Sequence, residues 1–137
     1  MRVLIDTDVE LDLMLKRPAF YADAFALWQA GDQGRYERYI AAMTPINAYY
    51  IARKFLGAAE ARQVIGQLLA ITKVCAIDHA ILTIAHGYPI ADFEDAVQIS
   101  AARSAGIDVI VTRNQRDYTG SSIPALPPSE LLAQFKK

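Results

Sequence analysis

The stretch ADFEDAVQISAARSAGIDVIVTRNQRDY, residues 91–118, decides how the chain is read. Asp92 is a good helix N-cap, Glu94 and Asp95 add acids to the first turn, and Gly106 supplies the stop. The β-branched run VIVT, Val109 to Thr112, follows as a strand, and the loop RNQRDYTGSS leaves it. A helix passing into a continuously apolar strand is the unit from which buried parallel sheets are built.

The same alternation extends in both directions. Val3 to Ile5 is a short apolar strand with Asp6 at its carboxyl end. Thr7 or Asp8 caps a helix reaching about Lys16, before Pro18 ends it. A second helix runs from about Phe20 to Ala30, with Gly31 and Gly34 at its exit, and Tyr39 to Ala42 reads as a strand. In TPINAYYIARKFLG, Thr44 is the expected N-cap, Pro45 the first helical residue and Gly57 the stop. Ile46, Tyr49, Tyr50 and Arg53 share one side of that helix. A helix from Ala59 to Ala70 leads to a strand from Lys73 to Ile77, and Asp78 caps a short helix ending near Gly87. IPALPPSELLAQF supplies a brief edge strand and a last helix. The expected class is α/β, a three-layer α/β/α fold whose central, mostly parallel sheet places ligands beyond the carboxyl ends of its strands. No repeat, low-complexity tract or linker divides residues 1–137, so one domain is expected.

Composition excludes several classes. At 53% hydrophobic and 21% charged residues the chain is neither disordered nor membrane-like, and no apolar run reaches the roughly 20 residues of a membrane span. The opening MRVLIDTD meets an acid too early for a signal peptide. The single cysteine, Cys75, lies in the apolar VCAI and reads as core, which suits a reducing cytoplasm. A net charge of −1 gives no basic footprint for nucleic acid, so a polyanionic substrate would need local basic groups or a bound metal.

Acids occupy the strand ends: Asp6 after the first strand, Asp92, Glu94 and Asp95 on the helix before VIVT, and Asp117 after it, with Asn114 between. Each has a structural explanation as a cap or turn residue, but together they converge if the two strands are neighbours. Several carboxylates without His or Cys partners suit a hard cation, Mg²⁺ or Mn²⁺, completed by a substrate phosphate. Such an ion activates water and stabilises charge in an in-line displacement, which favours phosphodiester hydrolysis over acyl transfer. Of the neighbouring acids, Asp8 caps the helix or braces Asp6, Glu10 lies one turn beyond Asp6 at the site's edge, and Asp12 is structural. His79 and His86 are two turns apart, too far to share a metal. Trp28 is read as core, and Tyr36, Tyr39, Tyr49 and Tyr50 as core or dimer packing rather than base stacking. Arg113 and Arg116 flank the site, open to phosphate contact or to solvent.

The sequence resembles the PIN-domain family along nearly its whole length. VLIDTDVELDLML is similar to the family's first strand, Asp and helix, and DFEDA followed by TRNQRDY to its C-terminal signature. The resemblance implies a Mg²⁺- or Mn²⁺-dependent ribonuclease, often the homodimeric, VapC-like toxin of a type II toxin–antitoxin pair. It implies metal-binding, catalytic roles for Asp6, Asp95 and Asp117, with Asp92 and Glu94 close enough to assist and Thr112 and Asn114 lining the loop. Asp8 stands where relatives often carry Asn. One departure stands out: TPINAYYIARKF supplies no Glu where members often have one, and Asn47 and Tyr50 occupy the nearest places. A degenerate PIN domain serving as a binding module is therefore the main alternative. A haloacid-dehalogenase-like phosphatase, suggested by DTDVE, lacks that family's Thr and its later lysine.

Overall fold

Val3, Leu4 and Ile5 are fully buried and form the middle strand of the sheet in the computed structural model, which describes residues 1–136. The strands are β1 (Arg2–Ile5), β2 (Glu37–Ala41), β3 (Lys73–Cys75), β4 (Val109–Val111) and β5 (Ala125–Leu126). They lie in the order β3-β2-β1-β4-β5, and each neighbouring pair is parallel. Parallel neighbours need long crossovers. Helices α1 (Thr7–Met14) and α2 (Tyr21–Asp32), α3 (Met43–Leu56) and α4 (Ala58–Ile71), and α5 (His79–His86) and α6 (Phe93–Ser104) provide the first three, a loop with the 3₁₀ turn Gln115–Tyr118 joins β4 to β5, and α7 (Pro128–Gln134) follows β5.

Successive strand residues point to opposite faces, and two cores result. Leu4, Tyr39, Ala41 and Ile110 face Ile81 and Ala85 of α5 and Ala96, Val97 and Ile99 of α6. Val3, Ile5, Ile40, Val109 and Val111 face Val9 of α1, Leu27 and Trp28 of α2, Leu68 of α4 and Leu131 of α7. The three expected layers are therefore present, and the sheet is parallel throughout the described residues. From β1 the chain builds outward through β2 and β3, then returns to the other side of β1 as β4. That reversal makes the β1/β4 junction the switch point, where such sheets open a crevice. Its register pairs Ile5 with Val111, so Asp6 and Thr112 emerge side by side.

Several local expectations change. Asp6 itself caps α1: it is extended (φ −69°, ψ 155°) and its Oδ1 accepts from the Thr7 amide. Neither Thr7 nor Asp8 is the cap, and α1 stops at Met14 before Lys16 turns left-handed at φ 49°. Helix α3 starts at Met43 with Ala42 as its cap, so Thr44 and Pro45 sit inside the first turn, where missing amide bonds are tolerated. Gly57 stops that helix at φ 83°, as expected. The buried face of α3 is Thr44, Ala48 and Ala52; Ile46 and Tyr50 are exposed and Tyr49 half-buried. Core packing is thus ruled out for Ile46 and Tyr50, because small side chains let α3 approach its neighbours and turn the bulky stripe outward. Tyr36, Tyr39, Trp28 and Cys75 are core, as read. The second strand spans Glu37–Ala41, the third ends at Cys75 and the fourth at Val111.

The acids of α1 also separate. Glu10 is fully buried against the α2 and α4 side, in a cleft with Trp28, Leu68 and Ile71, and does not reach the edge of the Asp6 site. Asp12 is structural: it accepts from Arg113 Nε at 2.6 Å and Nη2 at 3.2 Å, and from Arg17 at 3.4 Å. Arg113 also stacks 3.9 Å over the Phe20 ring. Asp12→Ala removes a buried anchor from a partly exposed arginine and should cost about 2 kcal/mol. A urea-unfolding midpoint lowered accordingly is the expected result; an unchanged midpoint would show that Arg113 does not depend on Asp12.

Candidate functional site

Asp6 is the centre of a hydrogen-bond cradle assembled from distant segments. Its Oδ1 accepts from the Thr7 amide (2.8 Å) and from Gln98 Nε2 (3.2 Å). Its Oδ2 accepts from Thr112 Oγ1 (2.8 Å) and the Tyr118 hydroxyl (3.0 Å). Gln98 Nε2 also donates to the Tyr118 hydroxyl. Thr112 leaves β4 with its hydroxyl accepting from the Asn114 amide, and Thr7 meets Thr44 of α3 through their hydroxyls at 3.0 Å. Burial, then the adjacent Asp6 charge, pushes the Tyr118 phenol far up, so it remains a neutral donor.

Helix α6 brings the other acids. Asp92 caps it, accepting from the Asp95 amide at 2.9 Å, as the sequence predicts. Glu94 accepts from Asn47 Nδ2 of α3 at 3.1 Å, so Asn47 does reach the acidic helix and spends an amide proton there. The Asp95 carboxyl is raised to about 6, first by burial and then by the charges of Asp92, Asp117, Asp6 and Glu94. Those five acids therefore share one electrostatic neighbourhood. Asp117 lies on the 3₁₀ turn Gln115–Tyr118 and lines an open cleft of about 550 Å³ with Arg113, Asn114, Gln115 and Arg116. That cleft touches the acid group only at Asp117.

Asp8 stands beside this group and braces the strand exit. Its Oδ2 accepts from Asn114 Nδ2 (2.9 Å) and the Arg113 amide (3.3 Å), while Oδ1 is buried without a partner among the described residues. Burial and the Asp6 charge raise its carboxyl to about 6, against the lowering effect of Arg113. Gln98 and Tyr118 are the residues that sequence reasoning misses. The only signal for Gln98 is a polar side chain inside the apolar run AVQISAA; Tyr118 shows only as the aromatic after Asp117.

Among the described residues no three His, Cys, Asp or Glu side chains gather tightly enough to enclose a metal ion. The donor chemistry nevertheless suits a hard divalent cation, since the charges of Asp92, Asp117, Asp6 and Glu94 all act to raise the Asp95 carboxyl. Mg²⁺ in particular uses one or two carboxylates and keeps several waters, rather than demanding a closed protein cage.

Fold and site together define an α/β protein with carboxylates gathered at the switch point of a parallel sheet. The PIN-domain family profile matches residues 2–116, and the chain belongs to that family. Its fold is similar to that of VapC20 from Mycobacterium tuberculosis, a toxin that cleaves the sarcin–ricin loop (TM-score 0.69, 15% identity, covering 88% of this chain and 95% of that one). It is also similar to VapBC2 from Rickettsia felis bound to a DNA fragment from its promoter (0.68, 13%, 92% and 97%). A toxin–antitoxin complex from Klebsiella pneumoniae gives 0.66 at 20% identity, covering 92% and 97%. Comparison with curated protein sequences gives no significant match.

The raised Asp95 carboxyl has a thermodynamic consequence. Between about pH 4 and 6 the folded chain holds this proton more tightly than the unfolded chain, so Asp95 makes stability fall as pH rises through that window. In chelator-containing buffer, Asp95→Asn should flatten the fall and raise stability above pH 6 by about 1 kcal/mol, the shift being discounted for solvent screening. Urea midpoints measured from pH 4 to 8 check this, and a variant no more stable than the parent at pH 7 would contradict it.

Proposed function

We propose that this protein is a metal-dependent endoribonuclease, the toxin of a type II toxin–antitoxin pair, hydrolysing RNA phosphodiesters. The observation that carries the reading is the shared electrostatic neighbourhood of Asp6, Asp92, Glu94, Asp95 and Asp117 beyond the carboxyl ends of β1 and β4. Asp6, Asp95 and Asp117 would hold Mg²⁺ or Mn²⁺, with Asp92 and Glu94 assisting. The bound ion would supply an activated water and charge stabilisation at phosphorus.

The chain's own groups do the rest. Thr7 and Thr112 fix the Asp6 carboxylate, Asn47 holds Glu94, and Asn114 ties Asp8 to the strand exit. Arg113 and Arg116 line the cleft beside Asp117 and provide the positive charge that an RNA phosphate needs near so many acids. The similar toxin–antitoxin complex supports an antitoxin partner. Exposed Ile46, Tyr50 and Leu69, which line one groove between α3 and α4, support a protein-binding surface, for a second copy or for an antitoxin. No described helix is long and apolar enough to cross a membrane.

A second reading, a binding module without catalysis, is favoured by one feature: α3 carries no acid at all, and Asn47 is already committed to Glu94. The phosphatase alternative loses its basis with membership of the PIN family.

Structured RNA incubated with Mn²⁺ or with EDTA distinguishes these readings, beside Asp6→Asn, Asp95→Asn and Asp117→Asn; Asn at position 6 can still cap α1. The expected result is cleavage with Mn²⁺, abolished by EDTA and reduced more than about 100-fold in each variant. Cleavage persisting in EDTA or in all variants would sink the metal site. No cleavage of any RNA, with no Mn²⁺ binding, would establish the binding-module reading.

A further inference from the structure

An ionised carboxylate has about four lone-pair positions, and Asp6 has four donors: the Thr7 amide and Gln98 on Oδ1, Thr112 and Tyr118 on Oδ2. In this arrangement Asp6 is saturated. A cation can reach either oxygen only if a donor leaves. The four donors are not equally able to do so.

The Thr7 amide belongs to the first turn of α1, immediately after β1, and its position is set by the backbone. Thr112 is fully buried, and its hydroxyl is held from the other side by the Asn114 amide. Gln98 and Tyr118 differ because they are bonded to each other as well as to Asp6. Each keeps that mutual bond when it lets go of the carboxylate. Gln98 also lies one helical turn beyond Asp95 on α6, so one helix carries both that acid and one of the donors that saturate Asp6.

We infer that Gln98 and Tyr118 form a clasp that closes Asp6 to metal ions, and that metal binding requires the clasp to open. This rests on the proposal that Asp6 is a metal ligand. Gln98 and Tyr118 are positioning residues: they act on a cation through the Asp6 oxygens they occupy. They set how tightly a cation is held.

The sign of one substitution separates a clasp from an ordinary orienting partner. A partner that merely orients a metal ligand weakens binding when removed, by about 10- to 100-fold. A competitor strengthens it. Titration of the intact protein with Mn²⁺ alone, reading free aquo-Mn²⁺ by electron paramagnetic resonance, needs no catalytic activity. Tyr118→Phe should tighten Mn²⁺ binding about fivefold, the worth of one net hydrogen bond, and Gln98→Leu should shift it in the same direction. Urea midpoints in EDTA verify that both variants fold. A parent that binds no Mn²⁺ while either variant does would also support the clasp. Unchanged or weaker binding in both variants, beside a parent that binds, overturns the clasp and leaves the metal site intact. No binding by the parent or either variant overturns both.

Discussion

The parallel pairing of β1 with β4 is the constraint on which the rest depends. Both strands are apolar throughout their paired residues, and Ile5 opposite Val111 fixes where each ends. A slip of one residue would turn Val3 and Ile5 toward the α5/α6 face and Leu4 toward the other, exchanging the two cores. It would also separate Asp6 from Thr112. The register that packs both faces of the sheet therefore also aligns the polar residues beyond its carboxyl end, although none of them belongs to either strand.

Beyond that edge the packing works against electrostatics. Asp8 and Asp95 are both held where their charged forms are disfavoured, mainly by burial and secondarily by neighbouring acids. Compensation is local and uneven. Arg113 is fixed by Asp12, caps the field of Asp8 and leaves Asp95 without a cation. On the far side of α1, burial pushes the Glu10 carboxyl well above its usual range, with only Arg38 opposing. Its two oxygens have no hydrogen-bond partner among the described residues, and the neutral acid is the form this pocket favours.

The sequence reveals the layers because strand and helix periods alternate cleanly, and it reveals Asp78 and Asp92 as caps because each precedes a helix after a non-helical break. The same logic fails at Asp6, which ends a strand and starts a helix with nothing between. Extending the helical phase back to it misplaced Glu10: an extended cap residue is not on the 100° spiral. Hydrophobicity alone does not reveal the buried face of α3, because size decides it, and Ala48 and Ala52 fit where Ile46 and Tyr50 do not. The acids were legible as strand-end groups, since topology brings strand ends together. Their partners were not, because Gln98 and Tyr118 lie 92 and 112 residues from Asp6 in the chain, and no local pattern marks such bonds.

Asp6 serves two purposes at once, and this changes what its presence can mean. It pins the start of α1 and collects four donors, so a descendant that had lost all chemistry would still gain from keeping an acid, or at least a capping residue, at this position. Asp95 is different. Its helix is capped by Asp92, and burial and four neighbouring acids oppose its charge. A residue kept at a cost to stability is a clearer record of selection for activity than one the architecture rewards. If the proposed cleavage activity were lost, position 95, rather than the more prominent acid at position 6, is where the loss would first leave a trace.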